Sequence, residues 1–322
     1  MCDVCHPGPA PLDSTIYSVT NPEPTLTWNL ARDGGEVLEY HFMVNALVAG
    51  TIVAVMAGLL GWFMVLRRET FAGHTLAMMA FPGAAGAALI GVPAAWGYFV
   101  FCGTGALAIG RFSGGRVRSW SEQSASIGAV QALALALGFL FVSLYGGVLG
   151  DLENLLFGTV LGISDGEVLT LAVVAAGSLI ALMVLGRPLL FASVDPDLAG
   201  AKGVPVRRLS IVFLGLLGLA VAATSQITGV LLVFALLVAP AATAQVLTTR
   251  PGLGLALTVA IGVGIVWAGL GVSYFSAYPA GFYVASIAFV LYMLARVGAW
   301  VLGASRRRAA PAREPTPEGV IV

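Results

Sequence analysis

The sequence predicts an all-α polytopic membrane protein of about nine transmembrane helices, with the N-terminus outside and the C-terminus inside. Three observations lead there. Of 322 residues, 58% are hydrophobic and only 10% charged, whereas a soluble domain carries about a quarter charged residues; mean hydropathy is +0.94. Apolar stretches recur at lengths near the ~20 residues that a helix needs to cross a bilayer. Basic residues gather on one side of that series, as cytoplasmic loops require.

The first 41 residues form the first element, an external polar tail. Its opening, "MCDVCHPGPAPLDSTIYSVTNPEP", has no basic start followed by an apolar run, so it does not read as a cleavable signal peptide. Three cysteines are too few for a disulfide framework. Cys2, Cys5 and His6 read first as part of an unstructured tail. External capture of a thiophilic metal is the alternative, and haem attachment, whose spacing they formally match, is the third.

The expected spans follow at 42–66, 70–91, 93–110, 126–149, 167–186, 208–224, 227–247, 252–275 and 279–301. Eight remain if the short 93–110 stretch does not cross. With the segment after the first span inside, the inner loops, the C-terminal tail and their flanks hold all 16 Lys and Arg residues except Arg32. The opposite loops carry Asp151, Glu153, Asp165 and Glu167 instead. Forty-one glycines suit close helix packing in lipid. The region 304–322 is basic and then proline-rich, an expected disordered tail that meets anionic headgroups.

Between two of the spans lies "SVDPDLAGAKGVPVRR" (193–208), the longest polar interruption in the second half. Asp195 suits a cap, Pro196 the first helical position, and Gly203 with Pro205 a stop. A short inner-side helix over 195–203 is predicted, with Leu198, Ala199 and Ala201 available for packing.

Several function classes are excluded or weakened. Net charge is zero, which gives no electrostatic case for nucleic acid. There is no phosphate-binding Gly-rich loop, and the only lysine is Lys202. No acidic residue lies deep in a span, where a proton- or sodium-driven carrier commonly places one. A separate motor is therefore favoured over an ATP-independent carrier. His74 and Met78, four residues apart, share a helix face within reach of one ion. Their bland alternative is packing for Met78 and a backbone hydrogen bond for His74. His41 reads as a polar boundary residue, with an interfacial metal contact as the alternative. The stretch 228–247 reads as a pathway-lining helix in which Pro240 frees a carbonyl that needs a polar partner, Thr243 or water; plain packing is the competing reading.

Several stretches together resemble the integral-membrane permeases of ABC importers for manganese, zinc and iron. They are "GWFMVLRRETFAGHTLAMMAFPGAAGA" (61–87), "LENLLFGTVLGIS" (152–164) followed by "DPDLAGAKGV" (195–204), and "TGVLLVFALLVAPAATA" (228–244), with "SEQSASIGAV" (121–130) in order between them. The resemblance implies a permease domain over 42–303 in the cell membrane, with no catalytic residues and no permanently bound cofactor. A divalent metal ion, zinc or manganese, is the cargo it implies. The partners it implies are an ATP-binding cassette subunit, an external metal-binding protein and a second copy of the chain. It assigns coupling to Asp195, Pro196, Asp197, Leu198 and Gly203. It also places His74 where the family has Asp and Met78 where it has His, a softer pair than the family's. A family position that is commonly acidic is Ala277 here, so a ligand is lost there. The alternative cargo is a chelated metal, a siderophore or haem.

Overall fold

The computed structural model describes residues 40–113, 120–145, 163–276 and 278–309. Ten helices make up this part: α1 (His41–Leu66), α2 (Thr70–Ile90), α3 (Ala94–Ser113), α4 (Trp120–Tyr145), α5 (Asp165–Val194), α6 (Pro196–Ala201), α7 (Val206–Thr228), α8 (Val230–Leu247), α9 (Pro251–Tyr274) and α10 (Ala280–Ala309). Each of the nine expected spans lies mainly on one of them, although 227–247 starts at the end of α7 and 146–149 lie outside the described residues, and the short polar-segment helix is α6.

Seven helices among the described residues are both long and apolar enough to cross a membrane: α1, α2, α4, α5, α7, α9 and α10. The other two long helices are α3, which is less apolar, and α8, an apolar helix of 18 residues. Helix α3 lies against α2 and α7, and α8 against α1, α2, α9 and α10. Helix α3 also turns Trp96, Val100 and Leu107 outward.

Two groups of helices form the bundle. Helices α2, α3, α4 and α7 pack together, as do α1, α8, α9 and α10, with α5 against α1 and α7. The outward faces of α4, α5 and α10 expose Leu133, Phe139, Ile180, Met183, Phe289 and Leu294. Apolar surface on this scale is stable against lipid, not water.

Local chemistry sets the helix ends. Ser164 and Glu167 form a reciprocal capping box that starts α5. That helix then runs through Pro188 to Val194, longer than the expected 167–186. Between α2 and α3, Gly91 takes φ +72° and Val92 N–H donates to the Ala87 carbonyl at 3.0 Å. The turn is so tight that the two helices meet backbone to backbone at Gly83 and Gly97. A Cβ on Gly83 would stand 2.5 Å from the Gly97 carbonyl oxygen, and one on Gly97 would meet the Gly83 carbonyl. We expect Gly97→Val to cost about 1–3 kcal/mol through overpacking. Thermal unfolding of the detergent-solubilised chain checks this, and an unchanged midpoint would rule out so close an approach.

Which loops share an end follows from contacts. At one end, His41 Nε2 stands 3.2 Å from Asp165 Oδ1, which also accepts from Asn45 Nδ2 at 2.6 Å. Tyr40 and Tyr274 meet there at a tilt, with ring centroids 6.1 Å apart. At the other end, Arg67 reaches Ser193 and Ser210, and Gln245 Nε2 donates to the Trp62 carbonyl at 3.0 Å. The basic turns 67–69, 195–205 and 248–250 thus lie together, as the charge pattern requires.

Candidate functional site

Helix α2 carries the first candidate group. Its inner face is packed by Leu76, Ala77, Ala80 and Ala84, all buried. Thr75, fully buried, is held towards α4: its hydroxyl lies 3.1 Å from Gln131 Oε1 and 3.0 Å from the Phe71 carbonyl. His74, the next position round the helix, turns to α8 instead. Its ring stands 4.6 Å from that of Phe234, centroid to centroid. His74 Nδ1 is buried and has no hydrogen-bond partner. The backbone-bonded histidine that sequence allowed is therefore not what this nitrogen does. Such an atom costs on the order of 1–3 kcal/mol when left unsatisfied.

Met78, one turn further, is partly buried against the core. Pro82 sits inside the same helix and has no N–H to give the Met78 carbonyl. One stretch of α2 therefore offers an imidazole nitrogen, a thioether sulfur and a freed backbone oxygen. No group of three or more His, Cys, Asp or Glu side chains that could hold a metal gathers among the described residues.

Helix α8 faces this stretch, and Pro240 is buried within it. Pro240 frees the Leu236 carbonyl, four residues earlier. Thr243 is not its partner. The Thr243 hydroxyl donates to the Ala239 carbonyl at 2.7 Å, three positions past Leu236, because a threonine in a helix bonds the carbonyl four residues before itself. The α2–α8 seam thus joins two proline-interrupted helices, a form of backbone that membranes tolerate where protein or a cavity surrounds it. Sequence reasoning did not find Phe234; only its place six residues before Pro240 hinted at it.

The second candidate is α6. Asp195 Oδ1 accepts from Leu198 N–H at 2.9 Å, and Pro196 occupies the first turn. Helical residues end at Ala201, with Lys202 as cap. Gly203 has φ +84°, its N–H donates to the Gly200 carbonyl at 3.0 Å, and Val204 N–H donates to the Ala199 carbonyl at 3.0 Å. This pair of bonds is the Schellman stop. The helix packs on α5 and α7 through Ala199, which is fully buried. Leu198 and Ala201 do not join it: Leu198 is 46% exposed and Ala201 is exposed beside Asp197 and Lys202. Six residues show only one face to the bundle, so the others point away.

A third group lies beneath α6. Arg67 Nε and Nη2 donate to Glu69 Oε1 at 3.2 and 2.9 Å. Nη2 also donates to Ser210 Oγ at 2.5 Å, and Nη1 to Ser193 Oγ at 3.5 Å. The guanidinium carbon stands 5.5 Å from the centre of the Phe213 ring. Burial pushes the Glu69 carboxyl above its ordinary range, and the charge and hydrogen bonds of Arg67 oppose that. In the sequence Arg67 counted only as a positive charge.

Cys2, Cys5, His6, Ala277, residues 152–162 and the tail from 310 lie outside the described residues. His41 is exposed and spends its contact on Asp165.

Comparison with known proteins follows the same lines. The model of the ABC 3 transport family matches residues 39–299. The manganese transport system membrane protein MntC of Halalkalibacterium halodurans is 31% identical over 83% of this chain and 90% of its own. The chelated iron transport system membrane protein YfeC of Yersinia pestis is 33% identical over 69% of this chain and 74% of its own. The solved structure of PsaBC from Streptococcus pneumoniae, in complex with Fab, superposes with a TM-score of 0.72 at 27% identity, covering 83% of this chain and 95% of the other.

Proposed function

The chain belongs to the ABC 3 transport family, and on that premise we propose that it imports a divalent transition-metal ion, zinc or manganese, driven by a separate ATPase. It is a multi-pass membrane permease subunit and not an enzyme. The observation that carries the cargo reading is His74, whose buried Nδ1 has no protein partner in the second turn of a spanning helix. A nitrogen so placed is a site for a passing ligand. With Met78 and a freed carbonyl nearby, it offers an ion few donors. A path needs binding that is favourable enough to enter and weak enough to leave.

In this reading residues 1–41 are external, 42–303 form the permease and 304–322 are a cytoplasmic tail. The basic turns around α6 face the cytoplasm by the positive-inside bias. The exposed Leu198 among polar neighbours gives the ATPase a surface to grip, with Asp195, Pro196, Asp197 and Gly203 shaping it. Two copies of the chain, two ATPases and an external metal-binding protein complete the importer. Cys2, Cys5 and His6 belong to the external tail, where capture of a thiophilic ion is their proposed use. A second reading, a permease for chelated metal, is favoured by the similarity to YfeC.

Elemental analysis of cells making the chain with its ATPase and binding protein tests this. We expect one of zinc or manganese to accumulate selectively. Cells that gain no free metal ion but do gain iron when a siderophore is supplied would establish the second reading. Side-chain softness gives a finer check. His74→Asp exchanges an imidazole for a harder carboxylate, so it is expected to shift competition towards manganese over zinc. An unchanged zinc-to-manganese ratio would remove His74 from the selecting step.

A further inference from the structure

We infer that Arg67, braced by Glu69, is a positioning residue that ties the coupling segment to the helix carrying His74, so that displacement of α6 is passed to α2. This rests on the reading of α6 as the ATPase contact. Ser193 lies two residues before the Asp195 cap, in the last turn of α5, and Ser210 lies in the first turns of α7. They flank α6 on both sides, and one guanidinium reaches both hydroxyls. Ser193 spends its own proton on the Leu189 carbonyl, which leaves its oxygen as the acceptor for Arg67.

Glu69 supplies the other end. It is the cap residue of α2, and its carbonyl accepts from Gly73 N–H at 3.0 Å. A shift of Glu69 is therefore a shift of the first turn of α2, immediately before His74. The side chains of Arg67 and Glu69 are 7% and 13% exposed, so water screens the pair little. Arginine suits the task because its planar fork holds several acceptors at fixed angles, which a lysine ammonium does not.

Coupling also needs an element with a second arrangement. Glu69 Oε2 is buried and has no hydrogen-bond partner. It is a vacant acceptor beside the guanidinium, available to a donor when the serines move. The Glu69 carboxylate therefore has one oxygen in use and one in reserve.

The test counts metal ions imported per ATP hydrolysed in proteoliposomes containing the chain assembled with its ATPase and the external binding protein. The double variant Ser193→Ala/Ser210→Ala frees the coupling segment and leaves the Arg67–Glu69 pair in place. Its ions-per-ATP ratio is expected to fall several-fold with an unchanged melting point. Arg67→Ala is expected to lower the ratio roughly tenfold, and Arg67→Lys to fall between. Exposed Arg250, at the α8–α9 turn, is the control and its alanine variant keeps the wild-type ratio. A wild-type ratio in the serine variant overturns the inference, as does a loss of import and hydrolysis in equal proportion in Arg67→Ala. Should Arg67→Ala fail to assemble, the serine variant decides. Leu198→Asp serves as the reference for the coupling reading. If it imports like wild type, that reading has failed and the inference falls with it; if it stops import while the serine variant is normal, only the inference has failed.

Discussion

His74→Ala is expected to reduce metal accumulation at least ~tenfold, the equivalent of about 1.4 kcal/mol at the limiting step, while leaving the amount of folded protein unchanged. The two halves of that expectation come from the same geometry. Nδ1 makes no hydrogen bond, so no internal partner is orphaned when the ring is removed. The ring packs on Phe234 and is only partly buried, which keeps the packing loss small compared with truncation in a full core. If His74 were structural, the order would reverse: stability would fall and transport per folded molecule would hold. Metal content by elemental analysis, normalised to permease in the membrane, separates the two. Equal accumulation in wild type and variant would take His74 off the path.

Gly203→Val is expected to abolish transport with normal membrane insertion. Gly203 has φ +84°, where a β-branched residue is strained, and a side chain with Cβ in the left-handed region costs roughly 1–2 kcal/mol. A helix of six residues cannot absorb that, since isolated helices below about 12 residues are marginal already. No atom lies within 4 Å of a Cβ built on Gly203, so backbone strain and not a clash is the cause. Asp195→Ala acts at the other end by removing the cap to Leu198, worth about 1 kcal/mol, and should give a milder form of the same defect. The α5 and α7 helices that flank the segment are anchored by their own cores, through Leu189, Ala192 and Leu209. Insertion and ATPase binding to wild-type and variant membranes are the measurements. Wild-type import by Gly203→Val would show that α6 couples nothing.

Some of this is legible in the sequence, and some is not. Spans follow from apolar length, and helices appear where expected because lipid leaves the backbone no other way to satisfy itself. The cap, proline and glycine of α6 act within a few residues, so Asp195, Pro196 and Gly203 predicted its ends correctly. Which of Leu198, Ala199 and Ala201 packs on the bundle was not legible, because a face has direction and only Ala199 points inward. Thr243 was offered to the freed carbonyl, but the helix geometry gives it to Ala239.

The sequence by itself determined the membrane class, the positions of the helices, the grouping of basic turns and the chemistry that caps α6. Each of these depends on residues close together in the chain or on composition. Tertiary structure alone decided that His74 meets Phe234 with a vacant nitrogen, and that α8 packs among α1, α2, α9 and α10. It also decided that Arg67 gathers hydroxyls 126 and 143 residues away. Those contacts depend on which helices become neighbours, and in lipid that choice is made by van der Waals fit and scattered hydrogen bonds. The apolar character that places a helix in the membrane is shared by all its faces, so it cannot say which face meets which partner.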